Sequence, residues 1–172
     1  MNFSYNVRII ALSVTISLGM IAQATTAKAA ETETLLVAGG CFWCVESDFE
    51  SVKGVKEVIS GFAGGTVKNP TYKQVTAGGT GHYEAAQIQF DPAVVSLDQL
   101  LSMYFRSVDP TDAGGQFCDR GDSYRTAIFA KDAVQKAAAT QAKAQAQAAL
   151  GQTIVTPVLG KTTFYPADAY HQ

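Results

Sequence analysis

Apolar positions recur along the chain with two different periods, and the switches between them divide it into elements. In "HYEAAQIQFDP", residues 82–92, alternation puts Glu84, Ala86, Ile88 and Phe90 on one face and Tyr83, Ala85, Gln87 and Gln89 on the other. That is the two-residue repeat of a strand, stopped by a proline. "TLLVAGG" reads as a strand running into a glycine turn, and "VKEVISGFAGG" as another ending in glycines. The period changes in "SLDQLLSMYFRSVDP", where Ser96 stands as the cap of a helix that gathers Leu97, Leu100, Leu101, Tyr104, Phe105 and Val108 on one side. "CFWCVESDFESV" has helical spacing, and "NPTYKQVTAGGTG" reads as a turn, a short helix and a glycine-rich loop. The Ala/Gln/Lys-rich residues 132–150 predict a solvated outer helix ending at Gly151. "TDAGGQFCDRGDS" is expected to be a glycine-rich loop, "YRTAIFA" a strand, and "TIVTPVLG" a last short strand before the tail "KTTFYPADAYHQ". Strands alternating with helices that carry single apolar stripes predict a two-layer domain, helices packed on a mixed sheet.

Residues 1–30 fall outside that pattern. Arg8 precedes an apolar run, residues 9–22, and small residues follow to "AKAA". The run is shorter than the ~18 to 20 residues that membrane spanning needs, so it reads as a cleavable export signal cut near Ala29 or Ala30. The junction has no Cys for a lipid anchor. The expected address is the periplasm or a comparable extracytoplasmic space, with no membrane insertion of the mature chain. Residues 31–172 are enough for one domain with a core and too few for two.

Charge narrows the partner classes. With 13 basic against 15 acidic residues and no cluster of either sign, nucleic acid and anionic membrane surfaces are poor partners. Three cysteines are an odd number for an exported chain, so at least one thiol is free or redox-active.

The chemistry concentrates in "VAGGCFWCVE", residues 37–46. Cys41 follows a Gly-Gly turn and opens a helix, where backbone N–H groups and the helix dipole stabilise a thiolate. Cys44 lies one turn on, on the same face, within reach of a short-range redox disulfide. A zinc site is short of ligands, since His82 and His171 are the only histidines and there is no second CxxC. A structural disulfide fits an exported chain. A hydrolase using Cys41 and His82 lacks an identifiable residue to orient the base. A thioredoxin-like oxidoreductase competes more seriously, but its Trp stands outside the cysteine pair. Here Phe42 and Trp43 lie between the cysteines and build an apolar wall suited to a small apolar substrate group. Glu84 shares a strand face with core residues. It is either a desolvated carboxyl kept partly protonated, the state of a general acid, or a side chain curling to solvent beside the glycines.

"GGCFWCVE", "GFAGGTVKNPTY", "GGTGHYEA", "DPTDAGGQFCDRGDSYRTAIF" and "FYPADAYHQ" together closely resemble the A-type peptide methionine sulfoxide reductases, in order and over residues 35–172. The resemblance implies an α+β two-layer sandwich, a mixed sheet with a ferredoxin-like core, and residues 31–172 as the catalytic domain. It implies Cys41 as nucleophile, Phe42 and Trp43 as the receptor of the substrate methyl group, and Glu84 as the acid that protonates the sulfoxide oxygen. Tyr72 and Tyr124 would bind that oxygen, and Asp119 would line the same pocket. The implied reaction is thiol-dependent reduction of peptide-bound methionine S-sulfoxide in repair of oxidised proteins, with free methionine sulfoxide left open as a second substrate.

Cys41 would pass through a sulfenic acid, a second cysteine would condense with it, and an external dithiol, thioredoxin or a periplasmic equivalent, would reduce the disulfide. The resemblance calls for no bound metal, flavin or nicotinamide, and the chain is expected to act as a monomer. Many relatives have Gly at the position of Cys44 and recycling cysteines in a C-terminal tail, which this sequence lacks. Cys44 and Cys118 are therefore the candidates for the resolving cysteine. Loop-closure cost favours Cys44.

Overall fold

The computed structural model describes residues 31–172; the predicted export signal, residues 1–30, lies outside them. β1 (Glu33–Gly39) turns tightly into α1 (Phe42–Glu50), which returns to β2 (Val55–Ala63). A loop with the short α2 (Tyr72–Thr76) leads to β3 (Tyr83–Phe90) and α3 (Leu97–Ser107). A small hairpin of β4 (Gly115–Gln116) and β5 (Asp119–Arg120) and a 3-10 turn at Asp122–Tyr124 precede β6 (Thr126–Phe129). Then come α4 (Ala133–Leu150), β7 (Val158–Leu159), β8 (Phe164–Pro166) and a 3-10 turn at Ala169–His171.

Six strands form one sheet in the order β7-β6-β1-β3-β2-β8, antiparallel throughout except for the parallel pair β6-β7. The inner strands β6-β1-β3-β2 are linked by the crossovers β1-α1-β2 and β3-α3-β6. This is the ferredoxin-like mixed α+β arrangement implied by the sequence.

Strand alternation sorts the side chains by face. Leu35, Val37, Val58, Ala86, Ile88, Phe90 and Ile128 pack with Val45 and Phe49 of α1, with Leu100, Leu101, Tyr104 and Phe105 of α3, and with Ala139 and Ala142 of α4. Each such large side chain withdrawn from water contributes about 1.5 to 3 kcal/mol, so this single cluster dominates the stability. The opposite face carries a thinner cluster of Ala38, Ala63, Ala85, Ala127 and Phe129. α3 starts as predicted, with Ser96 and Gln99 in a reciprocal capping box of 3.2 and 2.9 Å. α4 runs from its Asp132 cap to Gly151, whose φ of +65° ends it.

Three local features differ from the expectation. α4 is not merely solvated: its alanines admit close approach to α3, and buried Gln135 donates to the Thr34 carbonyl at 2.6 Å. The glycine-rich loop after residue 110 contains the β4-β5 hairpin, braced by an Arg120–Asp112 ion pair. The tail supplies an edge strand, β8, beside Gly61–Ala63 of β2. Gly61 permits it, because a Cβ there would lie 2.3 Å from the Tyr165 carbonyl oxygen.

Register then fixes where chemistry can occur. Gly39 at the end of β1 faces Thr126, and Glu84 at the start of β3 faces Phe62 near the end of β2. The start of α1, the start of β3, the 3-10 turn before β6 and the tail strand thus meet at one end of the sheet. Among the described residues, no helix is long and apolar enough to cross a membrane.

Candidate active site

The site begins at the turn after β1. Gly40 has φ +87°, and a Cβ there would sit 2.6 Å from Cβ of Gln116, so the turn can approach the buried Gln116 only as glycine. Cys41 follows as the N-cap of α1, its carbonyl accepting from the Cys44 and Val45 amides at 3.1 and 3.3 Å. Cys41 is half-buried and Cys44 exposed, both as free thiols. Burial first, then Cys41, Asp119 and Asp48, push the Cys44 thiol up. Cys41, Cys44, Asp48, Gln116, Phe117 and Asp119 line a cleft of about 270 Å³.

Glu84 does not curl to solvent. It is 1% exposed, and its Oε2 accepts the Phe42 amide, the first of α1, at 3.1 Å. Oε1 is buried with no hydrogen-bond partner. Desolvation pushes the Glu84 pKa up to about 7; the Phe42 amide opposes the rise, Asp119 adds to it, and His171 and Tyr124 oppose it more weakly. A carboxyl group half-protonated near neutrality, with one oxygen unengaged, can deliver a proton.

Tyr72 opens α2, whose Thr71–Gln74 capping box fixes the turn. Tyr124 ends the 3-10 turn; burial, then Glu84 and Tyr72, raise its pKa and keep it a phenol. Phe42 is buried against Phe62 and Tyr72, with ring centroids 6.0 and 6.1 Å away, whereas Trp43 is 46% exposed. The structure thus gathers Cys41, Cys44, Glu84, Tyr72, Tyr124, Asp119, Phe42 and Trp43. It leaves Cys118 exposed at the tip of the β4-β5 hairpin, outside the residues that line the cleft.

His171 is the component that the sequence reading used only as a metal ligand to be discounted. Its ring stacks on Tyr72 at 4.4 Å and 22°, and on Trp43 at 5.7 Å and 28°. Trp43 Nε1 donates to its carbonyl at 3.0 Å, and its Nδ1 pairs with Asp168 at 2.7 Å. The signal available in sequence was an imidazole in an aromatic tail, with nothing to show where the tail lands. His82 has the opposite outcome. Its Nδ1 accepts the Gly65 amide and its Nε2 donates to the Val67 carbonyl, so the buried ring is a neutral loop latch rather than a base. Among the described residues, no three His, Cys, Asp or Glu side chains cluster as metal ligands do.

Comparison with known proteins agrees with this geometry. The family described as peptide methionine sulfoxide reductase matches residues 33–172. The chain is similar to peptide methionine sulfoxide reductase MsrA 2 of Rhizobium meliloti, 53% identical over 85% of this chain and 73% of that one. It is 50% identical to MsrA of Listeria monocytogenes over 81% and 80% of the two chains. Mxr1 of Saccharomyces cerevisiae in reduced form superposes with a TM-score of 0.78, at 28% identity over 84% of each chain. Mxr1 in complex with Trx2 shares the fold with a TM-score of 0.60. A thiol at a helix start beside a buried, protonatable carboxyl, in a chain half-identical to these enzymes, places the protein in the peptide methionine sulfoxide reductase family, as a thiol-dependent MsrA-type enzyme.

Proposed function

We propose that the chain reduces the S epimer of methionine sulfoxide, with Cys41 as nucleophile and Glu84 as acid. The observation that carries this is the buried Glu84 carboxyl fastened to the Phe42 amide, one residue from Cys41, with Oε1 unengaged. Cys41 thiolate attacks the sulfoxide sulfur while Glu84 protonates the oxygen, which Tyr72 and Tyr124 hold; an unprotonated oxide would be too basic to leave. An S–S bond forms between Cys41 and the substrate sulfur as the S–O bond breaks and the protonated oxygen leaves as water. Water then adds to the Cys41 sulfur, the S–S bond breaks with its electron pair going to the departing methionine, a proton is released, and Cys41 is left as a sulfenic acid. Phe42 and Trp43 receive the methyl group, and Asp119 lines the cleft.

Cys44 then attacks the Cys41 sulfenic sulfur, the disulfide forms and water leaves. Cys44, one helical turn from Cys41 and lining the same cleft, is supported over Cys118, which is not among the residues that line it. An external dithiol takes the disulfide back to thiols. The Mxr1 complex with Trx2 supports a thioredoxin-like reductant. The clients are oxidised proteins and peptides. The composition of residues 1–30 supports export to a periplasmic space, and the length of residues 31–172 supports a single catalytic domain, which we take to act as a monomer.

Single-turnover reduction of an S-epimer sulfoxide peptide by the pre-reduced protein tests the reading. One methionine per enzyme with a Cys41–Cys44 disulfide is expected. No methionine, or turnover by Cys41→Ser, would remove the proposed chemistry.

A further inference from the structure

The C-terminal segment is held on the domain by contacts that the reaction itself does not use. Beyond β8, the Ala167 amide donates to the Ser60 carbonyl at 2.9 Å. Gln172 Nε2 donates to both the Ser60 and the Ala167 carbonyls at 3.0 Å. Ser60 is fully buried in β2, and its hydroxyl donates to Glu46 of α1. The Ser60 carbonyl is therefore a fixed point, tied through its own side chain to the helix that Cys41 caps.

Between the fastened ends, Ala167 and Gln172, the 3-10 turn carries His171 onto the active site. Tyr72 stands at the start of a five-residue helix, and its closest ring neighbour is the His171 imidazole at 4.4 Å, against 6.1 Å for Phe42. The imidazole face is thus the surface that limits how the phenol can tilt.

We infer that Gln172 is a positioning residue: its side-chain amide clasps the tail to Ser60, and the clasp sets His171 as the wall that aims the Tyr72 hydroxyl at the substrate oxygen. This rests on the reading of Tyr72 as an oxygen-binding group. A primary amide suits the task because its NH₂ has two hydrogens, one for each carbonyl. A carboxylate of the same shape has none and would face two carbonyl oxygens with a negative charge.

Trp43 is the sole tryptophan and is bonded to the His171 carbonyl, so its fluorescence reads the seating of the tail directly. The test compares Gln172→Glu, Gln172→Ala and the unaltered chain for Trp43 emission, far-UV circular dichroism and kcat/KM on a sulfoxide peptide. Gln172 lies at the surface, so both variants keep the core. The expected result is unchanged dichroism, emission moved to longer wavelength, and kcat/KM reduced roughly 10- to 100-fold, the usual penalty for slight misplacement of a reacting contact. In Gln172→Glu, both defects relative to the unaltered chain shrink as pH falls, because a protonated carboxyl regains a donor hydrogen. Gln172→Ala shows no such recovery.

Unaltered emission in both variants would overturn the clasp, and shifted emission with undiminished kcat/KM would overturn its positioning role. Tyr72→Phe is measured alongside. A slow Tyr72→Phe with fast Gln172 variants overturns the clasp alone. A fully active Tyr72→Phe overturns the reading of Tyr72 and the inference with it.

Discussion

Glu84 and Phe42 stand 42 residues apart and are joined by a 3.1 Å hydrogen bond from backbone amide to carboxylate. The bond docks the carboxyl onto the first turn of the helix that Cys41 caps, so the proposed proton donor and nucleophile share one rigid frame. It also uses one carboxyl oxygen and leaves the other buried without a hydrogen-bond partner.

Because desolvation places the Glu84 pKa at about 7, the acid form prevails below neutrality and is lost as pH rises through that value. Single-turnover sulfoxide reduction should therefore show a falling alkaline limb centred near pH 7. Glu84→Gln should lack this limb and react roughly 10²- to 10⁴-fold more slowly. Stopped-flow or quenched-flow profiles of both proteins check it; an identical limb in the variant would assign the proton to another donor.

The same burial has a cost in stability. A carboxyl whose pKa rises from 4.5 in the open chain to about 7 in the fold favours folding only while protonated, so its contribution is complete below 4.5 and is lost by the time pH passes 7. Glu84→Gln, neutral at every pH, should be more stable than the unaltered protein by about 1 to 3 kcal/mol at pH 8, with the gain vanishing below pH 5. Urea titrations at the two pH values measure it.

Glu84 and Tyr72 both act electrostatically on Tyr124, and the proposed mechanism has the two phenols bind one oxygen. Tyr72→Phe and Tyr124→Phe should each reduce kcat/KM by about 10-fold, and the double variant should deviate from the product of the two. A double-mutant cycle that adds strictly would show that they bind different atoms.

Cys44→Ser should still release one methionine per enzyme and then stall as a Cys41 sulfenic acid, which a dimedone-type reagent traps and mass spectrometry detects. Cys118→Ser should turn over normally with thioredoxin-class reductants. Stalling in Cys118→Ser instead would give the resolving role to the hairpin tip.

His82 is held neutral between the Gly65 amide and the Val67 carbonyl. His82→Ala should lower stability by about 2 to 3 kcal/mol, the scale of a lost buried polar contact with a cavity, while kcat/KM measured well below the melting temperature stays within about tenfold. Abolished chemistry in a folded variant would restore it as a catalytic base.

Strong local periodicity made β3 and α3 legible: Ala86, Ile88 and Phe90 alternate into the core, and Leu100, Leu101, Tyr104 and Phe105 fall on one helical stripe. The same alternation exposed Glu84 as a carboxyl among core residues. β8 was not legible, since Phe164–Pro166 is too short for a period and exists only because Gly61, far away in the chain, leaves room for it. His171 was missed for the same reason. Its ring contacts come from a tail whose resting place is set by the Ser60 carbonyl rather than by anything local. The buried stripe of α4 was hidden by alanines, which mark a face too weakly to separate packing from solvation.

The raised pKa of Cys44 has a last consequence, for survival of the enzyme in its working environment. Peroxides attack thiolates far faster than thiols, so burial together with Cys41, Asp119 and Asp48, by favouring the protonated form of Cys44, makes the proposed resolving cysteine a poorer target for oxidants. Irreversible sulfinic acid formation is thereby restrained at the more exposed thiol of the pair.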